Sequence, residues 1–302
     1  MNIPESLYPF SRNYLEIDGH RLHYLDEGEG RPVVMVHGNP SWSFYYRKLV
    51  LCLRDQYRTI VPDHIGCGLS DKPGDDAYEY TLASRVSDLE RLLAQLGVEE
   101  KVTLILHDWG GMIGMAWAVR NIAAVERIVL LNTAAFHLPE SKALPRSLGL
   151  VRNTAAGAWL VQRFNAFSRG AARFGVQHKM PPEVRQAYCA PYDTPANRVA
   201  TLRFVQDIPL APGDAAYELV SEVEAALPQF AHLPVMICWG MKDFVFDRHF
   251  LARWLQLWPQ AEVHRFADAG HYVLEDAADE ICRLAAGFLS GQGDRGGQHD
   301  HA

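Results

Sequence analysis

Residues 102–111 read VTLILHDWGG. Five consecutive apolar or β-branched residues, Val102 to Leu106, form a run of strand length. Such a run describes a strand buried on both faces, as in a parallel sheet. Asp108 follows His107, and then come Trp109, Gly110 and Gly111. Two adjacent glycines let the next helix fold back tightly against the strand, where a side chain would clash. A strand that turns sharply into a helix holds its corner side chain out at the top of a sheet, the geometry of a nucleophile elbow. Asp108 occupies that corner. An aspartate at a helix start also serves as an N-cap, so this stretch by itself leaves both roles open.

The same kind of short apolar run recurs at residues 33–36, 59–61, 127–131 and 235–239, with a last predicted strand at 262–266. Helical patterns lie between them. Residues 81–96 set Leu82, Val86, Leu89, Leu92, Leu93 and Leu96 on one face and stop at Gly97; further helices are predicted at about 110–121 and at 247–258, ahead of Pro259. Strands alternating with helices indicate a doubly wound, mostly parallel α/β sheet. Ahead of it, residues 14–18 and 20–25 alternate polar and apolar around Asp18-Gly19, which predicts an antiparallel hairpin and brings the sheet to eight strands.

Residues 134–227 break the pattern. They have no strand-like run, are rich in Ala, Arg and aromatics, and are chopped by prolines from Pro139 to Pro212. They read as a helical cap inserted after the sixth strand. The expected organisation is a core of 1–133 and 228–290, a cap of 134–227, and a Gly-rich, polar and disordered tail of 291–302.

Two further residues turn Asp108 from a cap into a candidate nucleophile. His271 follows the last predicted strand, and Asp243 follows the seventh. Each alone reads as structural, yet together they give the chain order nucleophile, acid, histidine, each at the carboxyl end of a strand. Asp247 is the substitute for the acid should Asp243 not serve. The loop His37-Gly-Asn39-Pro40 ends the strand at 33–36. Asn39 offers an amide N–H₂ and Trp109 an indole N–H that donates and never accepts. Two such donors beside a carboxylate suit a departing anion. A carboxylate needs no base to activate it and attacks electrophilic sp³ carbon, giving an alkyl-ester enzyme. That narrows substrates to haloalkanes, epoxides and strained lactones. Asp243 would fix the His271 tautomer, and His271 would act as base or proton manager.

Bulk properties exclude other classes. The chain has 302 residues, 22% of them charged, with net charge −7. That suits one large core and implies no basic surface for nucleic acid as a whole. The five cysteines, Cys52, Cys67, Cys189, Cys238 and Cys282, lack metal-ligand spacing and read as mostly buried, reduced thiols. With no signal-peptide layout and no apolar run near the ~20 residues of a membrane span, a cytoplasmic enzyme is expected. No motif calls for a metal or a cofactor, and His299 and His301 in the tail read as solvated.

The segments HGNPSWSFYYR (37–47), PDHIGCGLSDKP (62–73), HDWGG (107–111), WGMKD (239–243) and AGH (269–271) resemble the haloalkane dehalogenase family of the α/β-hydrolase fold. The resemblance implies that Asp108 attacks carbon and that Asn39 and Trp109 hold the leaving anion. A narrower likeness lies mostly in the cap: NTAAF (132–136), FNAFS (164–168), APYD (190–193) with Asn197-Arg198, and FVQDIPL (204–210) resemble the β-lactone decarboxylases of bacterial long-chain olefin biosynthesis. It implies a small hydrophobic substrate with long alkyl chains, release of a cis-alkene and carbon dioxide, and assembly with other enzymes of the olefin pathway. A haloalkane dehalogenase is the alternative. An epoxide hydrolase comes third, with Tyr188, Tyr192 and Tyr217 as candidate proton donors, and a non-catalytic member of the fold would have lost the Asp108–Asp243–His271 set.

Overall fold

The computed structural model describes residues 3–291 and 298–301. The predicted hairpin is β1 (Asn13–Ile17) and β2 (His20–Glu27), in register from Asn13 opposite Tyr24 to Ile17 opposite His20. Its turn residues, Asp18 and Gly19, both have positive φ, 50° and 83°. That is the backbone a tight two-residue hairpin turn demands. Six further strands follow: β3 (Pro32–Val36), β4 (Arg58–Pro62), β5 (Val102–Asp108), β6 (Val125–Thr133), β7 (Val235–Gly240) and β8 (Glu262–Phe266). They assemble in the order β1-β2-β4-β3-β5-β6-β7-β8, antiparallel only at the β1–β2 and β2–β4 pairs.

Among the described residues the sheet has nine strands, one more than expected. Gln298–His301 forms β9, parallel to β8 from Val263 opposite Gln298 to Phe266 opposite His301. This corrects the expectation of a disordered tail at those four residues. The outer edge of β8 presents backbone donors and acceptors that need partners, and QHDH supplies them without an apolar residue to mark it as a strand. Residues 292–297 and 302 of that tail, and the side chains of His299 and His301, lie outside what the structure describes.

Alternation within the strands divides the core in two. On β5, Leu104 and Leu106 face one cluster and Ile105 the other; on β6, Ile128 and Leu130 oppose Val129 and Leu131. Helices cover both faces. On one face lie α1 (Arg47–Leu53), α11 (Val273–Asp276) and α12 (Ala278–Ser290); on the other lie α2 (Leu82–Gln95), α3 (Trp109–Arg120) and α10 (Arg248–Leu257). Each fully buried Leu, Ile or Val side chain contributes about 1.5–3 kcal/mol, so neither layer is dispensable. Between β6 and β7 the described chain is helical: α4 (Arg146–Asn153), α5 (Ala155–Phe164), α6 (Ala166–Phe174), α7 (Pro182–Cys189), α8 (Val199–Gln206) and α9 (Tyr217–Ala226). Of the five free cysteines only Cys67 and Cys238 are buried, and Cys52 on α1 is exposed. The expectation of mostly buried thiols is corrected accordingly, since α1 turns position 52 outward.

A charged cluster stabilises the β2–β4 region away from the elbow. Asp63, just past β4 and fully buried, accepts hydrogen bonds from the backbone N–H groups of Ser43 (2.6 Å) and Leu69 (2.8 Å) and from His23 Nδ1 (2.8 Å). Burial alone would raise its carboxyl pKa, but His23 and the backbone donors outweigh burial and hold it at about 2. A carboxyl with a depressed native pKa stabilises the fold above its unfolded value near 3.8 and loses that contribution as pH falls toward 2. The expected loss across that window is about 2 kcal/mol. Asp63→Asn should remove this part of the acid sensitivity. Parallel acid-unfolding curves for variant and parent would rule the assignment out.

Candidate active site

The end of β5 and the segments that follow β3, β7 and β8 meet at one place. β5 lies beside β3, and from that point the chain winds outward in both directions, which opens a crevice at the strand ends. Asp108 sits there with φ 52° and ψ −127°, a backbone that L-residues adopt at a cost of about 1–3 kcal/mol. Small residues make the corner possible. A Cβ on Gly38 would fall 1.9 Å from Asp108 Oδ1, one on Gly110 1.9 Å from the Val36 carbonyl oxygen, and one on Gly111 2.0 Å from Thr133 Oγ1.

The two oxygens of Asp108 have different surroundings. Oδ1 accepts from the Asn39 backbone N–H at 2.5 Å, and the Trp109 backbone N–H lies close enough to favour the charged carboxylate. Oδ2 faces His271 Nε2 at 3.6 Å. Burial raises the Asp108 pKa above its ordinary value, and His271 with the two backbone donors offsets only part of that rise. Thr133 Oγ1 donates to the Asp108 carbonyl at 2.5 Å and fixes the corner from β6.

His271 is held from several sides. Its Nδ1 donates to Asp243 Oδ2 at 2.8 Å, which leaves Nε2 toward Asp108. Asp243 is 3% exposed, and its other oxygen accepts the Val245 N–H at 2.7 Å. The Phe246 ring stacks on the imidazole, 5.9 Å between centroids and 15° between planes. Burial pulls the His271 pKa down, but the Asp243 and Asp108 carboxylates together push it above its ordinary value. Asp247, the substitute acid, is engaged elsewhere: it caps α10 by accepting from the His249 N–H and pairs with Lys142.

Asn39 and Trp109 both line the cavity above Asp108, but they differ in availability. The Trp109 indole N–H donates to no described protein group. The Asn39 side chain already donates from Nδ2 to the Thr201 carbonyl on α8 at 3.0 Å. Only its second amide hydrogen is free for an anion.

The cavity holds about 340 Å³ and is walled by apolar side chains from both core and insertion, including Met112, Phe136, Leu148, Val161, Phe167 and Phe246. Its polar groups are few: Asp108, His271, Asn39, Trp109 and Ser147. Tyr188, Tyr192 and Tyr217 do not line it. Tyr188 donates to Glu275 at 2.5 Å, Tyr192 donates to the Ser41 carbonyl at 3.4 Å, and Tyr217 lies against His137. The proton donors that epoxide opening would need are therefore turned to other work.

Three contributors escaped the sequence reading. His107 Nε2 donates to the His271 carbonyl at 2.9 Å and ties the end of β5 to the loop that carries His271. Burial depresses its pKa well below the usual imidazole value, so it is neutral. Its place next to Asp108 was a signal, since neighbours on a strand point to opposite faces and only one can face the cavity. Phe246 and Thr201 carried no local signal, because their roles exist only once distant segments meet.

A family model described as the α/β-hydrolase fold matches residues 31–278, and the chain belongs to that family. Relatives within it narrow the picture. The chain is 58% identical over 287 residues, 95% of its length and 90% of the relative's, to a Shewanella oneidensis protein named cis-3-alkyl-4-alkyloxetan-2-one decarboxylase. A Xanthomonas campestris pv. campestris protein of the same name is 51% identical over 290 residues, 93% of this chain and 97% of the relative. Haloalkane dehalogenase 2 of Mycobacterium tuberculosis is 32% identical over 276 residues, 91% of this chain and 93% of the relative. Among solved structures, haloalkane dehalogenase DatA from Agrobacterium tumefaciens superposes with a TM-score of 0.83 at 25% identity, over 93% of this chain and 97% of that one. The likeness read from the motif segments and these relatives agree.

Proposed function

We propose that this enzyme decarboxylates cis-3,4-dialkyl β-lactones (oxetan-2-ones) to cis-alkenes and carbon dioxide. The observation that carries the reading is the near full-length identity of 58% and 51% to two proteins named for that reaction, against 32% to a dehalogenase. An apolar cavity closing on a single carboxylate fits a substrate with two alkyl chains.

In this mechanism Asp108 Oδ2 attacks the ring carbon bonded to the lactone oxygen, forming a C–O bond as the ring C–O bond breaks. The electron pair of the broken bond leaves on the freed carboxylate, which the Trp109 indole N–H and the second Asn39 amide hydrogen receive. Loss of carbon dioxide then breaks a C–C bond. That pair forms the double bond and expels Asp108 as carboxylate, so neither water nor a net proton is consumed. His271, pushed toward its charged form, positions and stabilises the two carboxylates rather than activating water. Dehalogenation would need the opposite state, a neutral His271 when water attacks. Esterification of Asp108 removes one of the two charges that hold the proton, so the site keeps that capacity.

Asp243 acts as the positioning group for His271, and the helical insertion is the cap that shapes the substrate walls. Asp243→Asn is expected to lower turnover about 10²–10⁴-fold by allowing the wrong imidazole tautomer, with substrate binding nearly unchanged; a parental rate would remove Asp243 from the role. The cysteines, free and partly exposed, fit a reducing compartment such as the cytoplasm. Among the described residues no helix is long and apolar enough to cross a membrane. Handover of insoluble intermediates within an assembly of olefin-pathway enzymes belongs to the same reading, and size-exclusion of the mixed purified enzymes tests it.

The deciding experiment incubates purified enzyme with a cis-dialkyl β-lactone in H₂¹⁸O and, separately, with a dibromoalkane. The expected products are alkene and carbon dioxide, with no ¹⁸O in the peptide that carries Asp108. Formation of the β-hydroxy acid, or bromide and alcohol release as the faster reaction, would overturn the reading.

A further inference from the structure

We propose that the outer face of helices α4–α6 docks on an anionic lipid surface and so presents the mouth of the cavity to a bilayer. Residues 141–182 carry seven Lys and Arg and not one Asp or Glu, within a chain of net charge −7. Two of the seven are neutralised by distant segments, Lys142 by Asp247 and Arg152 by Asp214. The other five, Arg146, Arg163, Arg169, Arg173 and Lys179, are exposed and make no ion pair among the described residues.

Large apolar side chains are interleaved with these cations. Trp159 is 56% exposed, Phe164 47% and Phe174 67%. Trp159, Leu160, Arg163 and Phe164 fall within an arc of about 140° on α5 at 3.6 residues per turn. The rings of Trp159 and Phe164 meet edge-on at 5.0 Å, with the Arg163 guanidinium 5.6 Å from the Phe164 ring; Arg173 lies 5.9 Å from Phe174 in the same way on α6.

This surface is continuous with the cavity. Leu150, Leu160, Phe174 and Phe244 line the cavity and are also among the exposed large hydrophobic residues, so they form its rim. Exposed aromatics set among unpaired arginines match a membrane interface, where rings enter the headgroup region and cations meet lipid phosphates. Charge complementarity favours this occupant. The remainder of the chain is strongly acidic, so an anionic surface attracts this face and repels the others, which fixes the orientation. The binding test involves no turnover, and its outcome is independent of which reaction the site performs.

The experiment measures co-sedimentation of the full chain with phosphatidylglycerol–phosphatidylcholine vesicles and with pure phosphatidylcholine vesicles. Binding to the anionic vesicles that weakens with salt is expected, with little binding to the neutral ones. Arg163→Glu with Arg169→Glu, neither residue lining the cavity, should weaken binding by more than about 25-fold, from roughly fivefold for each of the two cations lost and a further loss for the two negative charges gained. Arg163→Gln with Arg169→Gln should give a smaller loss, and circular dichroism checks that both variants fold. Absence of anionic-vesicle binding by the parent overturns the proposal, as does parental binding by the Glu variant. Self-association that the same substitutions dissolve, without vesicle binding, would overturn it in favour of a second copy of the chain.

Discussion

Asp108→Asn should lower turnover of any substrate by about 10⁴-fold or more while leaving the melting temperature at or above the parent's. An amide carries no charge to form the ester bond, and loss of a nucleophile typically costs at least that much. The stability half follows from the raised pKa of Asp108. A carboxyl whose native pKa lies above its unfolded value is ionised at neutral pH at a cost to the folded state. A neutral amide removes that cost, and its oxygen still accepts the Asn39 N–H. Paired measurements of initial rate and thermal unfolding test both halves. Retained turnover would end the nucleophile assignment, and a large drop in melting temperature would make Asp108 a structural cap instead.

Gly110→Ala is expected to destabilise the protein by about 3 kcal/mol or more. Its Cβ would lie 1.9 Å from the Val36 carbonyl oxygen and 2.6 Å from the carbonyl carbon. Both are backbone atoms of β3, locked into pairing with β4 and β5. Neither can yield as a side-chain tip would, so α3 must lift off the sheet. That cost is a large share of the roughly 5–15 kcal/mol by which domains are stable. Asp108 directly precedes that helix, and activity should fall even in molecules that still fold, since a misplacement near 1 Å costs about 10²-fold. Gly287→Ala on α12 is the matched control: nothing lies within 4 Å of its Cβ. It should stabilise by about 0.5–1 kcal/mol. Urea unfolding of the pair separates the two outcomes, and equal behaviour would refute the close-approach account.

Legibility in the sequence followed the range of the interactions. The β5–α3 corner was readable because strand, Asp108 and glycines are contiguous and the physics that joins them is local. His271 and Asp243 were readable through strand order, which a doubly wound sheet converts into position at one edge. Asn39 was found as a cavity residue, but its hydrogen bond to Thr201 spans 162 positions and depends on how α8 lies over the sheet. Nothing in HGNP announces it. The buried Asp63–His23 pair was hidden likewise: PDHIGCG reads as a loop, and its histidine partner sits 40 positions earlier. β9 was missed because edge pairing satisfies the backbone of β8 and asks nothing of the side chains of QHDH. The tyrosines misled for the opposite reason, since phenols look like acids in a sequence and Glu275 or a carbonyl had already claimed two of them.

Asn39 grips both halves of the molecule at once. Its main chain steadies Asp108 Oδ1 while its side chain clasps the Thr201 carbonyl on α8. One residue therefore links the placement of α8 over the cavity to the placement of the Asp108 carboxylate beneath it.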